Sequence, residues 1–581
     1  MCSLEQLDED PPGNDQLAMP SLRAMDGMNL PAPGVTLKEF EEDCENPEAV
    51  QRDVLRRILE HSKETVHLKG LGITGDTTVD DFRRLHPVTD YSFYESYIDS
   101  ISSGEKEPNL LLEGLTGFNL SSGTTGKASK MIPATMAGTI GTLDFMSLVN
   151  DLMERFGFLR SERAASCCRS GKRITTPSGH IAAGLSTRLL HHPAAGPILA
   201  ATAISPIKVY NIPEHVPCMY AHGLCALIRR KEVVKITSSY CAMVVDLLVA
   251  IQDRWEDMIQ HIRTGVAPSD DVAEVDEAVG SLLKPEGDPG LADELEAALG
   301  PDRGAGSGSR RDRFRGYVRR VFPSCRMVSC NCTGSMAVYV PLLRWFLNNP
   351  QEEEGPSEGQ GGGGEGQTGA TPASGSIPIW SPMYVASEGW MGVNTDVTES
   401  ERPAEKAVYT LYPKFVFFEF LPVSRPISAL SVPTPPGESQ EGRVQGGGEA
   451  EKVAADPVLV HELKVGCQYE VMVTNYQGFY RYRLKDIVEV VGFKGKMPRV
   501  AFVAREGALL NARSERTSEP TLMQALSDGI KAVNASPQGV SEAGRQAGRT
   551  KKSLKVVWKC EGKHCLKRVR SDCCAVLSVL Y

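Results

Sequence analysis

Between positions 119 and 130 the chain reads Asn119-Leu-Ser-Ser-Gly-Thr-Thr-Gly-Lys-Ala-Ser-Lys130, a run of hydroxyls and glycines that ends in a cation. Gly123 and Gly126 let backbone N–H groups turn toward an anion, Ser121, Ser122, Thr124 and Thr125 add hydroxyl donors, and Lys130 adds charge. Together these are the parts of a phosphate cradle. The run is not a Walker A loop: Ser121 stands where that motif needs its first glycine, and Ala128 replaces the metal-binding hydroxyl. Nor is it a dinucleotide fingerprint, which needs three glycines where only two are present. A flexible Ser/Gly surface turn has the same composition, so the reading needs support from elsewhere in the chain.

The elements that would position such a loop can be read from periodicity. Asn46-Pro47 marks a helix start, with Asn46 as N-cap and Pro47 at the first helical position, after which Val50, Val54, Leu55, Ile58 and Leu59 share one face. A second helical period runs through Val244, Leu247, Leu248, Ile251, Trp255, Met258, Ile259 and Ile262, with Cys241 near its start. Residues 469–474 and 479–483 are aromatic or β-branched runs on either side of Asn475-Tyr476-Gln477-Gly478, which predicts a hairpin. A third strand is expected over 487–493, with Lys485-Asp486 at the junction, where a side chain can leave the sheet. Alternating helices and strands predict a mixed α/β body. Three segments, 300–311, 351–375 and 433–451, are biased to Gly with Ser, Arg or Glu and carry too little apolar surface to order themselves, so they read as disordered surface insertions.

Composition narrows the function classes. At 581 residues the chain exceeds one ordinary core, so a large domain and at least one smaller one are expected. A formal net charge of −10 argues against a nucleic-acid-binding body, which needs a cationic face. The first twenty residues are acidic and lack an apolar h-region, so no signal or transit peptide is read. The most apolar helical stretch, 242–251, contains Asp246 and is far too short to span a membrane. A soluble cytoplasmic protein is the expectation. Fifteen cysteines without repeated spacing suit reduced thiols better than a disulfide framework. Cys167-Cys168 and Cys330-Asn331-Cys332 read as packing residues rather than ligands, cysteine being among the most buried residue types.

Two further segments carry polar chemistry, Tyr384-Val-Ala-Ser-Glu388-Gly-Trp-Met-Gly392 and Tyr480-Arg-Tyr-Arg-Leu-Lys-Asp486. With the Ser/Gly run, their order and separation resemble the auxin-responsive Gretchen Hagen family of acyl-acid amido synthetases, in the adenylate-forming superfamily. Similar text surrounds them: Pro323-Ser-Cys-Arg326 before Thr333-Gly-Ser-Met336, Phe417-Phe-Glu-Phe-Leu-Pro422, and the region 219–265. The likeness covers residues 49–535 apart from the insertions.

The resemblance implies an α/β fold: a large mixed α/β N-terminal adenylate-forming domain over 1–505, and a small, truncated α+β C-terminal domain, partial or divergent, over 506–581. It implies an enzyme that joins a carboxylic acid to the α-phosphate of ATP, releases pyrophosphate, and lets an amino acid's amine attack the acyl adenylate. The implied cofactors are ATP and Mg²⁺. The implied partners are a small carboxylic acid of indole, jasmonate or benzoate type and an amino acid, with no nucleic acid, no membrane and a monomeric state. Lys130 and the loop Ser121, Ser122, Gly123, Thr124, Thr125 and Gly126 would hold and neutralise the phosphates. Glu388 would bind Mg²⁺, which takes hard oxygen ligands and bridges phosphates, and would take part in catalysis with Lys130. Tyr384 and Ser387 would lie near the adenine and α-phosphate, Asp486 would accept the ribose hydroxyls, and Met336 would line the acyl pocket.

The chain departs from the family pattern at three places. Ala386 replaces a serine before Ser387. Lys485 stands where the family has glycine, which asks for an unstrained φ at that turn. Beyond residue 536 the likeness fades into a basic tail with ten Lys/Arg against three Asp/Glu over 541–581. No C-terminal catalytic lysine is assigned there, and no zinc site, because paired C-x-x-C spacing is absent. Two competing functions stay open: transfer of the acyl group to a thiol, or non-catalytic binding of acyl groups or nucleotide.

Overall fold

The computed structural model describes residues 35–505 except 106–108, 112–113, 122–128, 193–194, 270–271, 273, 300–311, 349–376, 397–402 and 424–455. Beyond residue 505 it gives only the backbone of the strands Leu509–Ala512, Glu515–Ser518, Ser553–Cys560 and Lys563–Arg570. The three low-complexity segments lie outside the described residues. So do Ser122, Gly123, Thr124, Thr125 and Gly126.

The first expected helix forms over Pro47–Ser62. Asn46 occupies the N-cap position without a side-chain capping bond, so the start rests on Pro47, whose fixed φ and missing N–H suit the first turn. Val54, Leu55, Ile58 and Leu59 are buried on the expected face. Gln51 shares that face and fastens it: its Oε1 accepts from the Phe418 N–H at 2.7 Å and its Nε2 donates to the Val416 carbonyl at 2.8 Å.

Those two bonds dock the helix on Val416–Pro422, a strand of an eight-stranded antiparallel sheet. Its order is Val458–Leu459, Val416–Pro422, Gln468–Asn475, Tyr482–Lys494, Met497–Arg505, Val408–Leu411, Gly389–Val393, Met383–Ala386. A parallel sheet of Ala164–Ser166, Lys235–Tyr240, Met327–Asn331 and Ile379–Trp380 packs with the helices His215–Ile228 and Cys241–Thr264 around a separate core. A third sheet, Met131–Thr135, Leu115–Leu120, Ile181–Ala183 and Ile174–Thr175, carries the Ser/Gly run at the end of its first strand pair. The body is therefore mixed α/β. Among the described residues no helix is long and apolar enough to cross a membrane.

The long helix Cys241–Thr264 matches the second expected period, with a kink at Arg254 (φ −118°) and a stop at Gly265. There φ is +73°, and a Cβ would sit 2.3 Å from the Lys284 carbonyl oxygen, so only glycine fits. Cys167, Cys330 and Cys332 are fully buried, whereas Cys168 is partly exposed.

The hairpin forms, but the two strands expected after its turn are one. Tyr482–Lys494 runs unbroken through Lys485-Asp486. The ladder accommodates them in a bulge: Glu470 pairs with Ile487 and Met472 with Arg483, so Leu484, Lys485 and Asp486 together oppose Val471. Lys485 sits at φ +68°, in the left-handed region where a Cβ is costly, rather than at the unstrained angle its side chain calls for. Its ammonium, 3.8 Å from Asp90 and half-exposed, gains little in return. Lys485→Gly is therefore expected to stabilise the protein by about 1 kcal/mol, the relieved strain exceeding the extra chain entropy of glycine. A urea midpoint that falls would contradict this.

Beneath the hairpin lies a buried histidine pair. His86 Nδ1 donates to the Pro87 carbonyl at 2.8 Å, which leaves its Nε2 as the acceptor for His67 Nε2–H, also at 2.8 Å. Both rings are therefore neutral, and a further proton would set N–H against N–H. Burial holds both pKa values down at about 4, against 6.5 for a free imidazole. Below pH 6.5 the unfolded chain takes up protons that the folded chain refuses until about pH 4. Stability is therefore full above about pH 6.5 and falls as pH drops toward 4, by a few kcal/mol for the pair. Urea midpoints measured at pH 7.5 and pH 5 test this; His67→Phe with His86→Leu should flatten the slope.

Candidate active site

Lys130 closes the Ser/Gly run immediately before Met131–Thr135. The ends of the run are fixed: the Ser121 N–H donates to the Lys130 carbonyl at 3.0 Å, continuing the ladder between Leu115–Leu120 and Met131–Thr135. The Lys130 ammonium lies 5.1 Å from the Tyr91 ring centroid and 3.5 Å from the Tyr482 hydroxyl. Among the described residues it makes no ion pair with a carboxylate. Burial pushes its pKa down, and the negative field of Glu388 recovers part of that loss.

Glu388 lies on the turn between Met383–Ala386 and Gly389–Val393. It is only 7% exposed, and its Oε1 accepts from the Tyr482 hydroxyl at 3.2 Å. Tyr482 thus stands between the ammonium and the carboxylate. Burial raises the Glu388 pKa, opposed by the fields of Arg505 and Lys130. The turn is held from behind by amides. Asn475 Nδ2 donates to the Glu388 carbonyl at 2.7 Å, Gln477 Nε2 to the Ser387 carbonyl at 3.2 Å, and Asn119 Nδ2 to the same oxygen at 3.3 Å. Two of these amides come from the hairpin tip, so the tip serves as a clamp on the Ser387-Glu388 turn. A cavity of about 100 Å³ lies against this turn, lined by Asn119, Thr135, Arg188, Trp390 and Gln477 among others. It is far below the roughly 300–1,000 Å³ of small-molecule pockets.

Asp486, on the bulge, is 2% exposed. Its Oδ2 accepts from the Tyr384 hydroxyl at 2.9 Å and its Oδ1 from Arg505 Nε at 2.6 Å. The Asp486 carboxylate holds the Arg505 guanidinium charged, well above its ordinary range. A carboxylate has about four lone-pair directions, and among the described residues these two bonds occupy one on each oxygen.

Lys130, Tyr384, Ser387, Glu388 and Asp486 are thus drawn together through Tyr482, Asn475, Gln477 and Arg505, none of which the sequence singled out for such a role. The only signals were the amide-rich turn Asn475-Tyr476-Gln477-Gly478 and the tyrosine between two arginines. Met336 lies in the core around the parallel sheet, 4% exposed, on the short 3-10 helix Gly334–Tyr339. Thr333 just before it meets the Tyr409 hydroxyl at 3.3 Å, and the Tyr409 ring lies 6.0 Å from that of Tyr384. That is the path by which the Met336 segment approaches Tyr384.

Chemically the site holds two mismatched charges. Burial disfavours the ammonium of Lys130 and the carboxylate of Glu388 alike, and a phenol separates them. An anion beside Lys130 together with a cation beside Glu388 would satisfy both.

Comparison with known proteins gives a consistent result. The family model described as the GH3 family N-terminal domain matches residues 36–351, and the GH3 family central domain matches residues 409–505. A jasmonoyl–L-amino acid synthetase, GH3.5 of Oryza sativa subsp. japonica, is 28% identical over 501 residues, which cover 85% of this chain and 77% of that protein. An indole-3-acetic acid-amido synthetase, GH3.6 of Arabidopsis thaliana, is 28% identical over 502 residues, covering 85% and 73%. Among solved structures, a GH3.15 acyl acid amido synthetase superposes with a TM-score of 0.67 at 24% identity, over 86% of this chain and 76% of that one, which is a likeness of fold.

Proposed function

The chain belongs to the GH3 family, and on that premise we propose that it is an ATP-dependent acyl-acid amido synthetase. It activates a carboxylic acid as the acyl adenylate and conjugates it to an amino acid. The observation that carries the reading is the mismatched pair of half-buried Lys130 and buried Glu388 beside Asp486, an arrangement that calls for a polyanion with its counter-cation.

In the first half-reaction a carboxylate oxygen of the acid attacks the α-phosphorus of ATP. The new P–O bond replaces the α–β bridging bond, and pyrophosphate leaves. Lys130 and the Ser121 loop neutralise the charge that develops on the phosphates, and Ser121 and Lys130 are held before the reaction by the strand pair behind them. Glu388 suits Mg²⁺, which commonly takes one or two carboxylates plus phosphate oxygens and water; when bound, the ion would draw charge from the leaving pyrophosphate. Tyr482 orients the Glu388 carboxylate. Asp486 receives the ribose hydroxyls on its two remaining acceptor directions, with Tyr384 beside the adenine and Ser387 near the α-phosphate. In the second half-reaction the amino acid's neutral amine attacks the acyl carbon, the C–O bond to phosphate breaks, AMP leaves, and the ammonium proton passes to water. No covalent protein nucleophile is required, and proximity supplies much of the rate.

The relatives named above act on jasmonoyl and indole-3-acetic substrates, which supports an acid of indole, jasmonate or benzoate type here, with Met336 as one wall of its pocket. Incubation of the purified chain with ATP, Mg²⁺, pooled acids and pooled amino acids should yield amides and AMP in equal amounts, identified by mass spectrometry. Thioesters formed in preference when a thiol acceptor is added would replace the amide reading. ATP binding with no acid-dependent AMP would reduce the chain to a binder.

A further inference from the structure

Cys241, Cys330 and Cys332 converge in the core around the parallel sheet, with their sulfur atoms all within 4.8 Å of one another. Each residue is 0% exposed. The convergence is imposed by the topology. Lys235–Tyr240 and Met327–Asn331 are adjacent parallel strands in register at Tyr240 and Asn331. Cys241 follows the first strand directly, as the first residue of the helix Cys241–Thr264. Cys330 and Cys332 flank Asn331 at the end of the second, two residues apart and so on one face of the extended chain. The remaining buried thiols of that core, Cys167, Cys218, Cys225 and Cys325, join no such group of three or more ligand atoms among the described residues.

We propose that Cys241, Cys330 and Cys332 form a trithiolate site for a thiophilic d¹⁰ cation, Cu⁺ or Zn²⁺. Distances support this. Metal–sulfur bonds of about 2.3 Å place thiolates roughly 3.8–4.0 Å apart in tetrahedral or trigonal geometry. The Cys330 and Cys332 sulfurs are 3.7 Å apart, and 4.8 Å bounds the set, so tenths of an ångström close it. The donor set consists of sulfur alone, which selects soft cations over Mg²⁺ or Ca²⁺. Cys241 meets the positive end of a 24-residue helix, which favours a thiolate. A Cys330–Cys332 disulfide fits less well: residues two apart on an extended strand are about 6.6 Å from Cα to Cα, whereas bridges favour about 5.5–6 Å, and one thiol would be left over.

The position gives the ion a task. Cys332 is followed by Thr333-Gly-Ser-Met336, and its N–H donates to Ser381 Oγ at 3.1 Å, which in turn meets the Tyr409 hydroxyl at 2.9 Å. A metal here would pin the ends of two strands next to the segment that reaches the Tyr384 side of the active site.

The test is elemental analysis of the full chain purified in reductant without chelator, then stripped and reconstituted with Cu⁺ or Zn²⁺ in separate arms. One equivalent of ion is expected, with a raised unfolding midpoint on reconstitution and, with Cd²⁺ as probe, a thiolate-to-metal charge-transfer band. Cys332→Ser should lose the band and the rise in midpoint, while Cys225→Ser, buried in the same core outside the cluster, keeps both. Far-ultraviolet circular dichroism checks that each variant is folded, and the wild-type midpoint shift needs no variant. The proposal fails if the wild-type chain takes up neither ion, if Cys332→Ser binds as the wild type does, or if mass spectrometry finds two of the three sulfurs joined in a disulfide in the reduced preparation.

Discussion

Lys130→Ala is expected to slow acid-dependent exchange between pyrophosphate and ATP by about 10²–10³-fold, equivalent to about 3–4 kcal/mol of lost transition-state stabilisation. Three observations set the size of the effect. The ammonium is half-buried; it meets a phenol at 3.5 Å, with an aromatic ring beneath it at 5.1 Å; and burial depresses its pKa. A charge held this way is poorly compensated in the free protein and would become well compensated on binding of the proposed triphosphate. Folding should lose little, since alanine removes a cost rather than a bond, so the unfolding midpoint stays near the wild-type value. Exchange that continues at the wild-type rate would remove Lys130 from the mechanism.

Glu419→Ala should cost about 3–5 kcal/mol of stability, because it strands a buried guanidinium. Glu419 is 1% exposed and Arg481 5%. Arg481 Nε donates to Glu419 Oε2 at 2.9 Å and Nη2 to Oε1 at 3.0 Å, while Nη1 donates to the Arg83 and His86 carbonyls at 2.7 and 2.8 Å. These bonds hold Arg481 at φ +47°, a left-handed angle that sets the start of the strand carrying Tyr482 and Asp486. The double variant Glu419→Ala with Arg481→Leu should recover part of the loss, since it removes the orphaned charge as well. Urea unfolding measures both variants, and a single-variant cost below 1 kcal/mol would show that the pair does not anchor the hairpin. The neighbouring Arg483 likewise pairs with Glu470, its Nε donating at 2.9 Å. Both arginines of Tyr480-Arg-Tyr-Arg483 are thus committed to protein carboxylates.

The helices Pro47–Ser62 and Cys241–Thr264 were legible because each buries one face, and a 3.6-residue period records that directly. The hairpin was legible from its turn. The single strand behind it was not: Lys485-Asp486 interrupts the apolar alternation, whereas the backbone continues through a bulge with Lys485 in a left-handed conformation that its residue type does not announce. The kink at Arg254 left no trace in the apolar period.

Lys130, Glu388 and Asp486 could be picked out because each stands in a motif with family resemblance. What joins them could not. Tyr482 reads as a strand aromatic, and only tertiary structure places its hydroxyl between Lys130 and Glu388. Arg505 ends a strand next to the one bearing Asp486, so their pairing follows from sheet register. The same holds for Cys241, which meets Cys330 and Cys332 only because two parallel strands align; spacing along the chain contains no hint of it. Ser122, Gly123, Thr124, Thr125 and Gly126 remain assignments from sequence, supported by the fixed ends of their loop.

The most direct measurement is incorporation of labelled pyrophosphate into ATP by the purified chain with Mg²⁺, run with and without each acid of indole, jasmonate and benzoate type. A site that forms acyl adenylates predicts exchange that appears only when a suitable acid is added and needs no amino acid. ATP bound in calorimetry with no exchange under any of these acids would contradict it.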